Sequence, residues 1–328
     1  MVMKCYQIDY NHIPDLPKCA ACIGYFDGMH KGHQALMIRT KEIAKNLHIS
    51  SAIITFDPDP WTIFYPDETF QHLFTIEDKC QYAQYMGFDS VYVLKFSKEF
   101  AALQVDEFHQ VLERMSVCHL VCGFDFKYGQ KNCGSIQTLQ EQDQFDVSII
   151  DSVNENSLKI SSSRIEPLIC SGDMLEANTL FGFVYSISGT IVHGFKRGSS
   201  LLGFPTANLA PNPEYIIPMV GVYSGMAMIN DKLYGAMINI GKNPTFENKK
   251  LTIEANIFDW SEDLYGKKVR YYFLNFIRKE KKFHSPAELV EQLKQDIRQS
   301  KKDLQQYERL VRTTASIWQA QIYIQDIK

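Results

Sequence analysis

No stretch of this 328-residue chain is apolar for long enough to cross a bilayer, and its opening residues, MVMKCYQIDYNHIPDL, lack the apolar core of a signal peptide. Charge of one sign is missing too. The 34 Lys and Arg stand against 38 Asp and Glu, a formal net charge of −4, which excludes bulk attraction to nucleic acid or acidic membranes. An anionic ligand must therefore be held by local groups. There is no aromatic RNA-binding signature, no internal repeat, no low-complexity linker, no Walker A loop and no G-x-G-x-x-G. Cysteine is absent after residue 170, and the eight present, at 5, 19, 22, 80, 118, 122, 133 and 170, show no paired metal spacing. A reducing, cytoplasmic location is the expectation. Cys19 and Cys22 form a C-x-x-C, but CAACIGY reads as a buried strand rather than the helix start that activates such pairs, so structural thiols are expected.

What is present is a globular chain, 45% hydrophobic and long enough for about two domains. The first half alternates apolar strands (ACIGYF, SAIITF, VYVLKF, HLVCGF, VSIID) with helix-length segments near 76–86 and 104–114. A helix from Gly32 to Leu47 is expected to share Leu36, Ile43 and Leu47 on one face. This layout predicts a Rossmann-like α/β domain with a parallel sheet and helices on both faces. From residue 183 the texture becomes strands joined by short turns, with Asn230-Asp231 as a hairpin turn, which predicts a small antiparallel β-barrel. Ser285, Pro286 and Glu288 mark the start of a closing helix. The expected division is residues 1–182, 183–305 and a partly helical tail, 306–328.

GYFDGMHKGH, residues 24–33, runs from a strand into a helix. In an open parallel sheet, ligands bind beyond the carboxyl ends of the strands, where the next helix offers free N–H groups and its positive dipole end. Gly24 and Gly28 let the backbone approach a ligand closely. His30 and His33 could donate hydrogen bonds to phosphate oxygens and stabilise charge in phosphoryl-type chemistry. This stretch resembles the nucleotidyltransferase H-x-G-H signature, and VCGFDFKYG with ISSSRI resembles further motifs of the FAD synthetase branch. That resemblance implies transfer of AMP from ATP to FMN, with release of pyrophosphate. It places Gly24, Phe26, Asp27, Gly28, His30 and His33 around the ATP phosphates, and Ser162, Ser163 and Arg164 on the outer phosphates. Asp125 falls in the FMN or nucleotide site. Two departures stand out. The family usually reads TFDPHP where this chain has TFDPDP, with Asp59 at the His position, and Glu166 stands where Arg is common.

The second half carries HGFKRGSSLLGFPTANL, a basic glycine-rich segment able to fold over phosphates, next to the hard oxygen donors of Thr206 and Asn208. In LTIEANIF, Leu251, Ile253, Ala255 and Ile257 alternate with Thr252, Glu254 and Asn256. Glu254 faces solvent on one view and on the other is a general base for a hydroxyl attacking a γ-phosphate. Together with GVYSG, NIGKNPTF, DLYGKK and FHSPAELVEQL, these segments resemble riboflavin kinase from about residue 183 to 300. The resemblance implies Glu254 as catalytic base, Thr206 and Asn208 as Mg²⁺ ligands, and Gly194, Lys196, Gly198 and Ser199 as ATP-phosphate contacts. The whole chain is thus similar to the bifunctional riboflavin kinase and FAD synthetase family, with riboflavin, FMN and ATP as small-molecule substrates, Mg²⁺ as cofactor, and neither nucleic acid nor membrane as partner. The alternatives are a riboflavin kinase with a degenerate adenylyltransferase half, a flavin-sensing regulator, and a tRNA-charging enzyme sharing H-x-G-H. The oligomeric state is open.

Overall fold

The computed structural model describes residues 3–193, 205–242, 251–324 and 327. The chain divides into two compact units, Met1–Ser162 and Ser163–Lys328.

In the first unit, six parallel strands lie in the order β1-β4-β3-β2-β5-β6: β1 (Lys4–Ile8), β2 (Cys19–Ile23), β3 (Ser50–Asp57), β4 (Ser90–Lys95), β5 (Val117–Gly123) and β6 (Asp146–Ile150). The order runs outward in opposite directions from β2, so the crevice beyond the ends of β2 and β5 is the switch point where such sheets bind ligands. Strand β2 is fully buried and alternates. Cys19, Ala21 and Ile23 join a core with Phe108, Val111 and Leu112 of α5 (Val105–Arg114), while Ala20 and Cys22 point to the opposite face. Helix α1 (Lys31–Leu47) packs on that opposite face through Met37, Thr40, Ile43 and Ala44. The expected stripe is shifted, because Leu36 is half-buried and Leu47, in the last turn, is 49% exposed. The short α2 (Pro60–Phe64) and α4 (Lys98–Ala101) flank α3 (Ile76–Tyr85), whose Thr75–Asp78 capping box satisfies its first turn. Next come α6 (Ile136–Glu141) and a two-stranded hairpin, β7 (Asn154–Glu155) and β8 (Leu158–Lys159).

Helix α7 (Ser162–Ser171) starts on the last residue of the first unit and continues into the second, where α8 (Met174–Phe181) follows. Six antiparallel strands then close a barrel: β9 (Ser186–Val192), β10 (Ala207–Pro211), β11 (Gly221–Ile229), β12 (Lys232–Lys242), β13 (Leu251–Ile257) and β14 (Lys268–Arg278). Pairing of β11 with β12 completes the ring. Asn230 and Asp231 both take positive φ, 49° and 58°, as the expected hairpin turn requires. At the bulge after Ser224, a Cβ on Gly225 would stand 2.1 Å from the Tyr272 carbonyl oxygen, so the close strand approach there admits only glycine.

Helix α9 (Pro286–Gln306) docks on the barrel with Asp296, Ser300, Asp303 and Leu304 buried. Its cap is half the expected box, since Ser285 Oγ accepts from the Glu288 N–H while Glu288 accepts from the His284 N–H. The tail adds α10 (Glu308–Ile317) and β15 (Gln321–Ile322), which pairs in parallel with the start of β12. Thr314 on α10 accepts from the Val184 N–H, and Trp318 is buried.

Candidate active sites

The start of α1 is assembled by a turn that few residues tolerate. Phe26, Gly28 and Met29 all have positive φ, 57°, 83° and 46°, which lets the chain leave β2 and enter the helix within seven residues. His30 is the N-cap of α1, its Nδ1 accepting from the His33 N–H at 3.4 Å. That contact leaves the His30 proton on Nε2, which is therefore a donor. The two imidazoles stack with centroids 3.7 Å apart and planes 19° from parallel, and Phe26 meets His33 edge-on at 5.2 Å. Burial holds His30 down to about 4 and His33 well below the usual histidine value, so both rings are neutral at neutral pH. His33 Nδ1 is buried with no hydrogen-bond partner among the described residues. A buried polar atom left open at a helix N-terminus suits a ligand that brings its own partner.

Asp27 is tied into the fold through its side chain. Its carboxylate, 7% exposed, accepts from the Leu73 and Phe74 N–H groups at 2.9–3.1 Å, fixing the segment that leads into α3. Burial pushes its carboxyl upward despite Lys79 nearby. Ser162 Oγ donates to the Asp27 carbonyl at 2.8 Å, so Ser162 joins the glycine turn. Ser163 and Arg164 belong to the second unit, where Arg164 pairs with Glu176 at 2.9 Å. Gly24 bonds through its N–H to the Ile54 carbonyl, and the Phe26 ring lies 3.2 Å from where a Cβ would stand. Asp125 forms an ion pair with Lys159.

Several residues here are not foreseen by the sequence. Lys79 is buried, its Nζ 3.7 Å from the Tyr25 ring centroid, with burial lowering it to about 8. The β7–β8 hairpin reaches α1 through Lys31–Glu155 at 3.4 Å and carries Lys159, whose charge contributes to depressing both histidines. Asp59 caps α2 by accepting from the Trp61 N–H at 2.8 Å, and its other oxygen lies 3.5 Å from His72 Nδ1. The carboxylate that replaces the family's histidine thus faces an imidazole from elsewhere in the chain. Beyond it, Trp61 and Phe64 are more than half exposed. The Cys19–Cys22 pair is inert: the two thiols lie on opposite faces of β2, and burial raises each to about 12.

The second site lies on the barrel wall. GFPTANL contributes the start of strand β10, and its Asn208 pairs across the sheet with Glu254 of β13. Asn239 of β12 pairs with Glu254 from the other side. Thr206 Oγ1 donates to Glu254 Oε2 at 3.4 Å, and Asn256 Nδ2 donates to the Pro205 carbonyl at 2.9 Å. Glu254 is therefore half-buried rather than solvated, and burial raises its pKa against the lowering effect of the Thr206 hydrogen bond. Gly194, Lys196, Gly198 and Ser199 lie outside the described residues.

The FAD synthetase family matches residues 12–164, and the riboflavin kinase family matches residues 181–304. The bifunctional riboflavin kinase/FMN adenylyltransferase of Bacillus subtilis is 37% identical over 286 residues, spanning 85% of this chain and 90% of its own length. The protein of the same description from Listeria monocytogenes is 37% identical over 287 residues, 86% of this chain and 91% of its own. The chain belongs to this bifunctional family. Both halves match, which favours two transferase activities over a kinase with a decayed partner or a flavin sensor. A crystal structure described as a macrolide-efflux protein from Streptococcus pneumoniae superposes with a TM-score of 0.81 at 32% identity, covering 89% of this chain and 97% of its own. The efflux description is that protein's. Among the described residues, no helix is long and apolar enough to cross a membrane.

Proposed function

We propose that the barrel phosphorylates riboflavin to FMN with Mg²⁺ and ATP, that the Rossmann-like unit adenylates FMN to FAD, and that the working boundary lies near residue 182. The observation that carries this reading is the placement of Glu254, half-buried, held by Thr206 and flanked across the sheet by Asn208 and Asn239. Glu254 takes the proton of the riboflavin primary hydroxyl as that oxygen attacks the γ-phosphorus and ADP leaves.

The hydroxyl of Thr206 and the amide oxygen of Asn208, beside a carboxylate, form a donor set of hard oxygens that fits magnesium. When bound, the ion neutralises phosphate charge. Thr206 and Asn208 orient the phosphates toward Glu254, and Gly194, Lys196, Gly198 and Ser199 supply the covering contacts.

In the other unit an FMN phosphate oxygen attacks the α-phosphorus of ATP and pyrophosphate leaves. His30 Nε2–H and the free N–H groups at the start of α1 stabilise the charge on phosphate oxygens, with His33 completing the stack. Gly24, Phe26, Asp27 and Gly28 shape the turn, and Ser162, Ser163 and Arg164 hold the outer phosphates. Asp125 and Lys159 border the flavin phosphate, and Trp61 and Phe64 offer faces for stacking of the flavin ring. The cytoplasm, which holds ATP and reduced thiols, is the fitting location.

Chromatography of flavins formed by the purified chain tests this directly. Riboflavin with ATP and Mg²⁺ gives FMN and then FAD, and FMN as starting flavin gives FAD. FMN as the sole product in both tubes refutes the adenylation assignment.

A further inference from the structure

Cys5 and Cys80 are 75 positions apart, yet Cys80 Sγ donates a hydrogen bond to Cys5 Sγ at 3.3 Å. Cys5 lies on the edge strand β1 and is exposed, while Cys80 lies on α3 and is half-buried. Among the described residues no other pair of thiols is hydrogen-bonded to one another. We propose that Cys5 and Cys80 are an oxidisable dithiol that a hydroperoxide closes to a disulfide, tying α3 to β1.

The geometry supports closure. A disulfide needs its sulfurs at about 2.05 Å, so the pair must approach by ~1.2 Å, within reach of side-chain rotation and a small helix shift. Donation from Cys80 lowers Cys5 to about 7, leaving a large thiolate fraction on the more exposed of the two sulfurs. The Cys5 thiolate attacks one oxygen of hydrogen peroxide. An S–O bond forms, the O–O bond breaks, and the departing hydroxide takes a proton to leave as water. The Cys80 sulfur then attacks the Cys5 sulfenic acid. The S–S bond forms, the S–O bond breaks, and hydroxide leaves with the Cys80 proton as a second water. Two thiols are oxidised and one peroxide is reduced.

Closure has a route to the first active site. Lys79, the residue before Cys80, packs on Tyr25 at the end of β2, and the segment entering α3 is gripped by Asp27 of the glycine turn. Moving α3 moves both contacts. This consequence rests on the assignment of FMN adenylation to the first unit, whereas disulfide formation does not.

The test treats the full-length protein with hydrogen peroxide, removes the peroxide with catalase, blocks free thiols with N-ethylmaleimide, and maps peptides by mass without reduction. The expected result is one cross-linked species joining the Cys5 and Cys80 peptides within a single chain, reversed by dithiothreitol. FMN adenylation in the oxidised protein is expected to fall about tenfold, as a small displacement of positioning groups produces, while riboflavin phosphorylation is unchanged. Cys5→Ser and Cys80→Ser each abolish the cross-link and the peroxide sensitivity. Recovery of both cysteines alkylated after peroxide, or of either joined to a different cysteine or a second chain, overturns the dithiol. A correct cross-link with unaltered FMN adenylation overturns its coupling to the site.

Discussion

The imidazoles of His30 and His33 lie 3.7 Å apart and within 19° of parallel, on the first turn of α1. Two rings so closely stacked, with His30 buried, disfavour charge on each other. Burial takes His30 from 6.5 to about 4. Between those values the unfolded chain binds a proton that the folded chain refuses, so stability falls as pH falls through the window. For His30 alone the loss is about 3 kcal/mol by pH 4. His30→Asn keeps a capping acceptor but does not titrate. It is expected to flatten the dependence of the first unit's melting on pH between 6.5 and about 4. An unaltered slope would show that other groups set it. At neutral pH the same variant, lacking the Nε2 donor, is expected to lose about 10²-fold in FMN adenylation with riboflavin phosphorylation intact.

Glu254 divides the activities in the opposite sense. Glu254→Gln preserves shape and removes the base, so FMN formation from riboflavin should fall about 10²- to 10⁴-fold while conversion of supplied FMN to FAD continues. Because burial raises the Glu254 pKa above 4.5, the acid limb of kcat/KM for riboflavin phosphorylation should lie above that value. A base must be ionised to accept the proton, so the rate drops as pH falls through this limb and is full above it. Loss of both activities together in Glu254→Gln would sink the separation of sites.

Docking of α9 depends on a buried ion pair. Arg278 Nε and Nη2 reach Asp296 Oδ2 at 3.0 and 2.7 Å, and the Asp296 side chain is 1% exposed. Asp296→Ala strands the guanidinium against the barrel and should cost about 3–5 kcal/mol, measured as a shift in the urea midpoint. Arg278→Met with Asp296→Leu removes both charges and should recover most of the loss. A double variant as unstable as Asp296→Ala would place the effect in α9 packing rather than in the uncompensated charge.

How far these features are legible in the sequence follows from their range. The Asn230-Asp231 turn, the β2-to-α1 junction and the alternation around Glu254 are local, set by backbone sterics and by periods of 2 and 3.6 residues. GFPTANL was legible as chemistry but not as a strand, since Pro205 and Asn208 disfavour β structure and only pairing with β9 and β13 imposes it on β10. Strand β1 is similarly obscure, because KCYQI is mostly exposed at the sheet edge and has no buried alternation. Contacts between distant segments leave no local trace. Lys79 on Tyr25, Lys159 on Asp125 and Cys80 on Cys5 exist because the parallel crossovers bring strand ends and helices together. The adjacent Cys19 and Cys22, by contrast, cannot meet, since residues three apart on a strand face opposite ways.

The same long-range logic bears on the departure at Asp59. A carboxylate at the end of β3, on the sheet edge where β2 delivers His30, opposes phosphate unless its charge is balanced. Asp59 spends one oxygen on the Trp61 N–H, and the other lies 3.5 Å from His72 Nδ1, which is also 3.4 Å from the Tyr25 hydroxyl. His72 thus stands where a ring N–H can meet the carboxylate that the substitution introduces. His72→Ala should slow FMN adenylation about tenfold, chiefly by raising KM for ATP, and leave riboflavin phosphorylation alone. Asp59→Asn keeps a capping oxygen and, added to His72→Ala, should restore most of the rate, because the imidazole is needed only while the carboxylate is charged. A double variant no faster than His72→Ala would mean that the imidazole serves the site through Tyr25 or the substrate instead of through Asp59.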